Sequence, residues 1–457
     1  MHVRRATPAA ATGRPPGDER PNWPVLAVAG SSRGRRGATT SRRRLTRWRA
    51  SGLLRAVTGS NDRDSRGPST LAVHGGEPYV RPGRSLTVPA VHASTYPFDN
   101  TQELVDFMEG RLERPHEYGR YGNPTVEQAE AKLAALEGAE SAVLMSSGMA
   151  AITTTLLGML RPGQHIVLTA DVYRRTRQFA GQVLQRYGVD VSIVEPNIEA
   201  IASAVNDQTR IIFSEAPTNP YLRVPDIAAL VDLARSRRIK TIIDATLATP
   251  INMRPLDLGI DVVMHSATKY LGGHNDLLGG VVLGKRPVVE AVREQVGMFG
   301  PVLDAHSAFL LVRGLKTLAL RVVRQNETAL RLAARLEAHP QVKQVWYPML
   351  ASHPDHESAQ RYLRAGGGLL SFEIHGGLSA GTGVIDGVRL FKIAPSFGGV
   401  ESLIEQPPLM SFFELAPEDR ARIGIREGLI RVSVGIEDAD DLEADLVTAL
   451  DRAAARV

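Results

Sequence analysis

The sequence predicts an α/β fold: a mostly parallel central sheet covered by helices on both faces, followed by a smaller C-terminal α+β domain. Three observations predict it. From residue 125 to residue 264 short apolar runs of strand length alternate with longer amphipathic segments, the rhythm of βαβ units. Residues able to do chemistry, Asn219, Asp244 and Lys269, fall just beyond such runs, where ligands of parallel sheets bind. From about residue 305 the order changes to a long helical region, four strand-like runs and a last helix. The expected division is a disordered Arg-rich tail over 1–68, an N-terminal arm with the large domain over 69–304, and a small domain over 305–457.

The totals narrow the class. Of the 457 residues 43% are hydrophobic and 23% charged, values of a soluble globular protein. No apolar run reaches about 18 residues, so no membrane partner is expected. The absence of cysteine excludes disulfides, thiolate metal sites and a cysteine nucleophile, and no metal site is expected. The net charge of +5 misleads, because residues 1–68 carry fifteen Arg, no Lys and four acidic residues, about +11, which leaves about −6 for the remainder. A nucleic-acid partner for the folded body is therefore not expected. The tail reads as disordered. An organelle-targeting peptide, a solvated tail and a start codon placed too far upstream all fit it. The preference for Arg over Lys, 47 against 7, suggests a GC-rich genome, and the expectation is a bacterial cytoplasmic enzyme with a dispensable tail.

In chain order, the folded part starts near Ser69 and continues as an extended arm from Leu86 to Phe98. In Glu117–Thr125 two glycines and a proline forbid a helix; Tyr118 and Arg120 there offer a phenol and an N–H fork suited to phosphate. A helix over Thr125–Glu137 is closed by Gly138. Strand 142–145 turns through Ser146-Ser147-Gly148-Met149 into a helix ending near Leu160, and such a helix start attracts anions. Strand 165–169 leads to the turn Asp171–Arg177, where Tyr173 can stack on an aromatic cofactor and Arg174, Arg175 and Arg177 form a basic patch or a solvated helix face. Strands over 189–195, 210–214, 240–244 and 261–264 follow, with a helix over 225–237. Asp244, an acid at a dry strand end, requires a cationic or N–H partner.

The chain is organised around His265-Ser266-Ala267-Thr268-Lys269-Tyr270-Leu271-Gly272-Gly273. A lysine among small polar residues at the end of a buried strand can lose its proton readily and serve as a Schiff-base amine. Ser266 and Thr268 can hold an anion beside it. Pyridoxal 5′-phosphate needs this combination: an amine for its aldehyde, hydroxyls and N–H groups for its phosphate, and an acid such as Asp244 for its ring nitrogen. In the C-terminal part Arg431 lies inside an apolar strand and calls for a buried anion, which an amino-acid carboxylate would supply.

With these residues in place, residues 69–457 resemble the cystathionine γ-synthase group of the Cys/Met-metabolism (trans-sulfuration) pyridoxal-phosphate enzymes, closest to the plant-type branch. The segments EYGRYGNPT (117–125), YRRTR (173–177), EAPTNPYLR (215–223), HSATKYLGGHND (265–276) and APSFGGVESL (394–403) carry the likeness. The resemblance implies a fold-type-I, aminotransferase-like large domain. It implies Lys269 as the cofactor's amine and proton shuttle, Asp244 at the ring nitrogen, Tyr173 on the ring and Asn219 at the ring hydroxyl. Gly148, Met149, Ser266 and Thr268 would hold the phosphate, with Tyr118 and Arg120 of a neighbouring subunit. Arg431, helped by the loop at Ser402, would bind the substrate carboxylate, Glu401 would handle the γ-substituent, and Arg175 would add to substrate binding. A homotetramer of dimers is implied. Much of the family has Tyr-Gly-Gly where this chain has Tyr173-Arg174-Arg175, and Leu247 stands where the plant-type branch has Phe.

The reaction expected is γ-replacement on an activated L-homoserine ester (O-phospho, O-succinyl or O-acetyl) by a thiol such as cysteine, with the arginines favouring an anionic ester. The alternative is γ-elimination from an amino acid carrying a thioether or halide. Less favoured are β-elimination of cystathionine, against which Glu401 argues, and a nucleic-acid or scaffold role for the tail.

Overall fold

Twelve strands among the described residues form two sheets. The computed structural model describes residues 66–77, 84–114 and 116–454, so the expectations for residues 1–65 lie outside the described residues. The first sheet holds β1 (Ser141–Met145), β2 (His165–Thr169), β3 (Asp190–Val194), β4 (Thr209–Glu215), β5 (Lys240–Asp244), β6 (Val262–Ser266) and β7 (Gly280–Gly284) in the order β1-β7-β6-β5-β4-β2-β3. Strands β2 to β6 pair in parallel, and β7 is antiparallel to both its neighbours. The second sheet holds β8 (Val342–Trp346), β9 (Leu369–Ile374), β10 (Lys392–Ile393), β11 (Leu403–Glu405) and β12 (Leu429–Ser433) in the order β10-β11-β12-β9-β8, antiparallel except for β10 with β11.

The pleat explains why the strands of the first sheet are apolar throughout. Successive side chains face opposite sides, and helices cover both. Ile166, Leu168, Ile211, Phe213, Ile242, Val262 and Met264 pack on one face with Ile152 and Leu156 of helix 148–159 and Val289 and Val292 of helix 286–299. Val167, Ile212, Ile243 and Val263 pack on the other face with Ile227, Leu230 and Val231 of helix 227–237. Each such side chain contributes about 1.5–3 kcal/mol by leaving water.

Several boundaries differ from the expectation for local reasons. Helix 124–137 starts one residue earlier than expected, because Asn123 caps it, accepting the N–H of Thr125. The long C-terminal helical region is two helices, 305–315 and 318–337, broken at Lys316 and Thr317. The strand expected over 389–393 is reduced to Lys392 and Ile393. Strands β7 and β11 were not foreseen, being glycine-flanked or only three residues long. Pro68, assigned to the tail, opens the helix Pro68–His74. Buried Lys132 pins that start: its Nζ donates to the Ala72 and Val73 carbonyls at 3.1 and 2.9 Å and pairs with Glu77 at 3.0 Å. No helix of the described residues is long and apolar enough to cross a membrane.

Candidate active site

The carboxyl ends of β1, β2, β4, β5 and β6 converge as parallel strands require. Beyond β1, Ser147 caps helix 148–159 by accepting the Ala150 N–H at 3.0 Å, which leaves the N–H groups of Gly148 and Met149 without intrahelical acceptors. Position 148 tolerates only glycine, since a Cβ would lie 2.9 Å from Cβ of Ser266. Gly148, Met149 and Ser266 therefore form one cradle of free N–H and hydroxyl groups. Thr246 ties the next two strand ends together: its hydroxyl donates to Asp244 Oδ1 at 2.5 Å and accepts the Ser266 N–H at 2.8 Å. With Oδ1 so engaged, Asp244 keeps Oδ2 for a cation. Burial raises the Asp244 carboxyl above its ordinary range, against the pull of the Thr246 bonds. Thr268 stabilises its own turn, its hydroxyl accepting the Gly279 N–H at 3.0 Å and lying 3.3 Å from the Gly279 carbonyl.

Lys269 leaves a turn that is fixed from behind. Arg321, buried, donates to the Tyr270 carbonyl at 2.8 Å and to the Gly314 carbonyl at 2.9 Å, and the Lys269 carbonyl accepts the Gly273 N–H at 2.7 Å. The ammonium of Lys269 donates to Ser396 Oγ at 2.5 Å and lies 4.8 Å from the Phe397 ring centre. Burial, and then the nearby Arg431, bring the amine down to about 8. Arg431, on β12, is 4% exposed and donates to the Asn219 side chain at 3.2 Å and to the Ser396 carbonyl at 2.9 Å. Ser396 thus bridges the two cations, and it does so at φ 91°, a strained conformation for a non-glycine residue. Across the strand register Arg431 pairs with Glu405 at 3.0 Å.

A third group lies beside Asp244. Glu215, its register partner on β4, accepts the Tyr173 N–H at 2.8 Å. Burial, and then Asp244, push the Glu215 carboxyl well above its usual range. Asp171 is raised too by its burial, against the pull of the neighbouring Thr169. Arg177 turns in towards these acids. A pocket of about 110 Å³ opens between Tyr173, Arg174, Arg177, Asn219, Glu405 and Phe412.

The structure brings Lys269, Asp244, Asn219, Ser266, Gly148, Met149, Tyr173 and Arg431 to these strand ends, but treats other expected residues differently. The Ser402 hydroxyl is committed to Glu437 at 2.8 Å and to the Gly435 N–H at 2.8 Å, so Ser402 shapes its loop, while Ser396 of the same loop is bonded to Lys269 and Arg431. Arg175 is exposed and donates to Gln178 at 2.8 Å, away from the pocket that Arg174 and Arg177 line. Glu401 is exposed and accepts from Asn275 at 2.7 Å. Tyr118 and Arg120 pack together away from Lys269, with Arg120 bonded to the Gly297 carbonyl and lying over the Tyr121 ring. The sequence reading missed Ser396, Glu405, Glu215 and Thr246. An acid directly after an apolar pair (Glu405, after Leu403-Ile404) and an acid opening the EAPTNP segment (Glu215) were visible signals.

The residues fit pyridoxal phosphate on the structure's own terms. The Gly148 cradle admits no Cβ and presents N–H donors, Asp244 keeps one oxygen open, and Lys269 is an amine held near neutrality. Comparison with known proteins agrees. The family model for Cys/Met metabolism PLP-dependent enzymes matches residues 69–451. The chain is 46% identical over 389 residues to a chloroplastic cystathionine gamma-synthase 1 of Nicotiana tabacum, covering 84% of this chain and 71% of the relative. It is 40% identical over 387 residues to an L-methionine gamma-lyase of Pseudomonas putida, covering 84% of this chain and 97% of the relative. A solved cystathionine gamma synthase of Xanthomonas oryzae pv. oryzae, in complex with aminoacrylate and cysteine, superposes with a TM-score of 0.81 at 34% identity, covering 86% of this chain and 100% of that one. The chain belongs to the Cys/Met-metabolism family of pyridoxal-phosphate-dependent enzymes and has their fold.

Proposed function

We propose that the chain catalyses γ-replacement on an activated L-homoserine ester with a thiol such as cysteine, as a homotetramer in the cytoplasm, the division between its large and small domains falling near residue 305. The observation that carries this reading is the placement of Lys269 and Arg431 on either side of Ser396, beside a pocket lined by Arg174 and Arg177. The likeness to cystathionine gamma-synthases supports it.

Bound pyridoxal phosphate would supply an electron sink for charge developing at Cα. The chain's own residues do the rest. Lys269 would hold the aldehyde carbon of the group, Asp244 the ring nitrogen, Tyr173 the ring face, and the Gly148–Met149–Ser266 cradle with Thr268 the phosphate. Arg431 takes the substrate carboxylate, which places Cα and Cβ within reach of Lys269. As a free amine Lys269 would take the proton from Cα and move a second from Cβ, so that the γ-substituent can leave. An amine near 8 performs both transfers close to neutral pH. Arg174 and Arg177 stabilise an anionic leaving group. Tyr118 and Arg120 are assigned to a neighbouring subunit's phosphate site.

γ-Elimination is the second reading, favoured by the 40% identity to a methionine gamma-lyase. Product analysis with O-phospho-, O-succinyl- and O-acetyl-homoserine, each with and without cysteine, separates the two. Cystathionine from one ester is expected. Ammonia and 2-oxobutanoate in the presence of cysteine would establish the lyase instead, and no product from any ester with cofactor bound would overturn both for these substrates.

A further inference from the structure

A guanidinium has five N–H groups. On Arg431 Nη1 donates to Asn219 Oδ1 at 3.2 Å and lies 3.0 Å from Glu405 Oε1 in an ion pair. One of Nη2 goes to the Ser396 carbonyl at 2.9 Å, and Nε has no hydrogen-bond partner among the described residues. The Nε hydrogen is thus open, and Nη2 beside it has a second hydrogen. Those two form the side-on fork that grips both oxygens of a carboxylate. Glu405 helps decide which edge remains. It is 1% exposed, fixed opposite Arg431 by strand register, and held in turn by the Ser411 hydroxyl at 3.1 Å. It is also a second anion at the place where a ligand anion must enter, and like charges in a dry site repel strongly.

Building on the reading of Arg431 as the carboxylate site, we propose that Glu405 is a positioning residue for substrate recognition: it occupies Nη1, so that a ligand carboxylate enters on the Nε–Nη2 edge, and its charge tempers the grip so that product is released. The same carboxylate supports the proton on Lys269 against the repulsion of Arg431.

The test is glycine binding to the holoenzyme by titration calorimetry, with thermal unfolding measured alongside. Glycine has the carboxylate and no γ-substituent, so the result does not depend on whether replacement or elimination is the reaction. Glu405→Gln keeps the acceptor for Nη1 and removes the charge, and it should bind glycine about fivefold more tightly than the parent. Glu405→Ala removes charge and acceptor together, and it should bind at least about tenfold more weakly than the Gln variant. A purely structural role would lower the unfolding temperature of both variants and move glycine binding in one direction. The proposal is overturned if the Gln variant binds no more tightly than the parent, or if the Ala variant binds as tightly as the Gln variant. An Arg431→Leu enzyme that binds glycine like the parent would overturn the carboxylate site itself, and the proposal with it.

Discussion

The two ends of the first sheet treat charge in opposite ways. At the amino ends, charges are paired and partly solvated: Lys240 meets Asp261 at 2.6 Å, Arg254 meets Asp257 at 3.1 Å, and Glu140 accepts the Arg286 N–H at 3.0 Å. At the carboxyl ends, Glu215, Asp171 and Asp244 are all pushed up by burial, and Lys269 is pushed down. Burial without a matching partner destabilises a charge and makes it ready to gain or lose a proton. One end of the sheet is arranged for stability and the other for reactivity, although both are built from the same strands.

Substitutions that exchange the two behaviours test this contrast. The largest effect is expected at Lys269. Lys269→Ala should reduce activity by about 10³-fold or more and abolish the visible absorbance of bound cofactor. With both proteins freed of cofactor, its unfolding midpoint should be no lower than the parent's, because a desolvated cation has gone; a clear fall in melting temperature would break the comparison. Next is the pH dependence of cofactor uptake by cofactor-free protein. Only the neutral amine attacks an aldehyde, so the rate should fall about tenfold per pH unit below about 8 and level off above it. A rate still rising through pH 10 would place Lys269 among ordinary lysines.

Glu215→Gln should act on stability. The native carboxyl titrates above its unfolded value, so below about pH 4 both states are protonated and no penalty exists. The penalty grows as pH rises towards the native value. The Gln variant, which keeps an acceptor for the Tyr173 N–H, should therefore gain on the order of 1–3 kcal/mol at pH 8 and almost nothing at pH 4, measured by denaturant unfolding at the two pH values. The smallest effect belongs to the amino end. Lys240→Met breaks a half-exposed ion pair and should cost less than about 1 kcal/mol with activity unchanged.

Much of the first sheet was legible in the sequence because buried parallel strands are short apolar runs with punctuated ends. His165–Thr169, Lys240–Asp244 and Leu369–Ile374 were read at their observed bounds. Strand β7 was not, since Gly280 and Gly284 flank three apolar residues and its antiparallel pairing follows from the register of β1 and β6. In the site, Lys269, Asp244 and Arg431 were legible because a charge inside an apolar run demands an explanation. Ser396 was not, because its role depends on a backbone conformation and on two cations 127 and 35 residues away. The bond of Ser402 to Glu437 was hidden for the complementary reason: a hydroxyl in a glycine-rich loop gives no sign of a partner 35 residues away.

On the proposed role of Lys269, the clamp that Arg321 places on the following carbonyl sets the reach of the reaction. With its backbone anchored from below, the lysine can travel only by torsions of its own side chain, like a crank on a fixed axle. Every atom that needs a proton must lie on the arc swept by that crank.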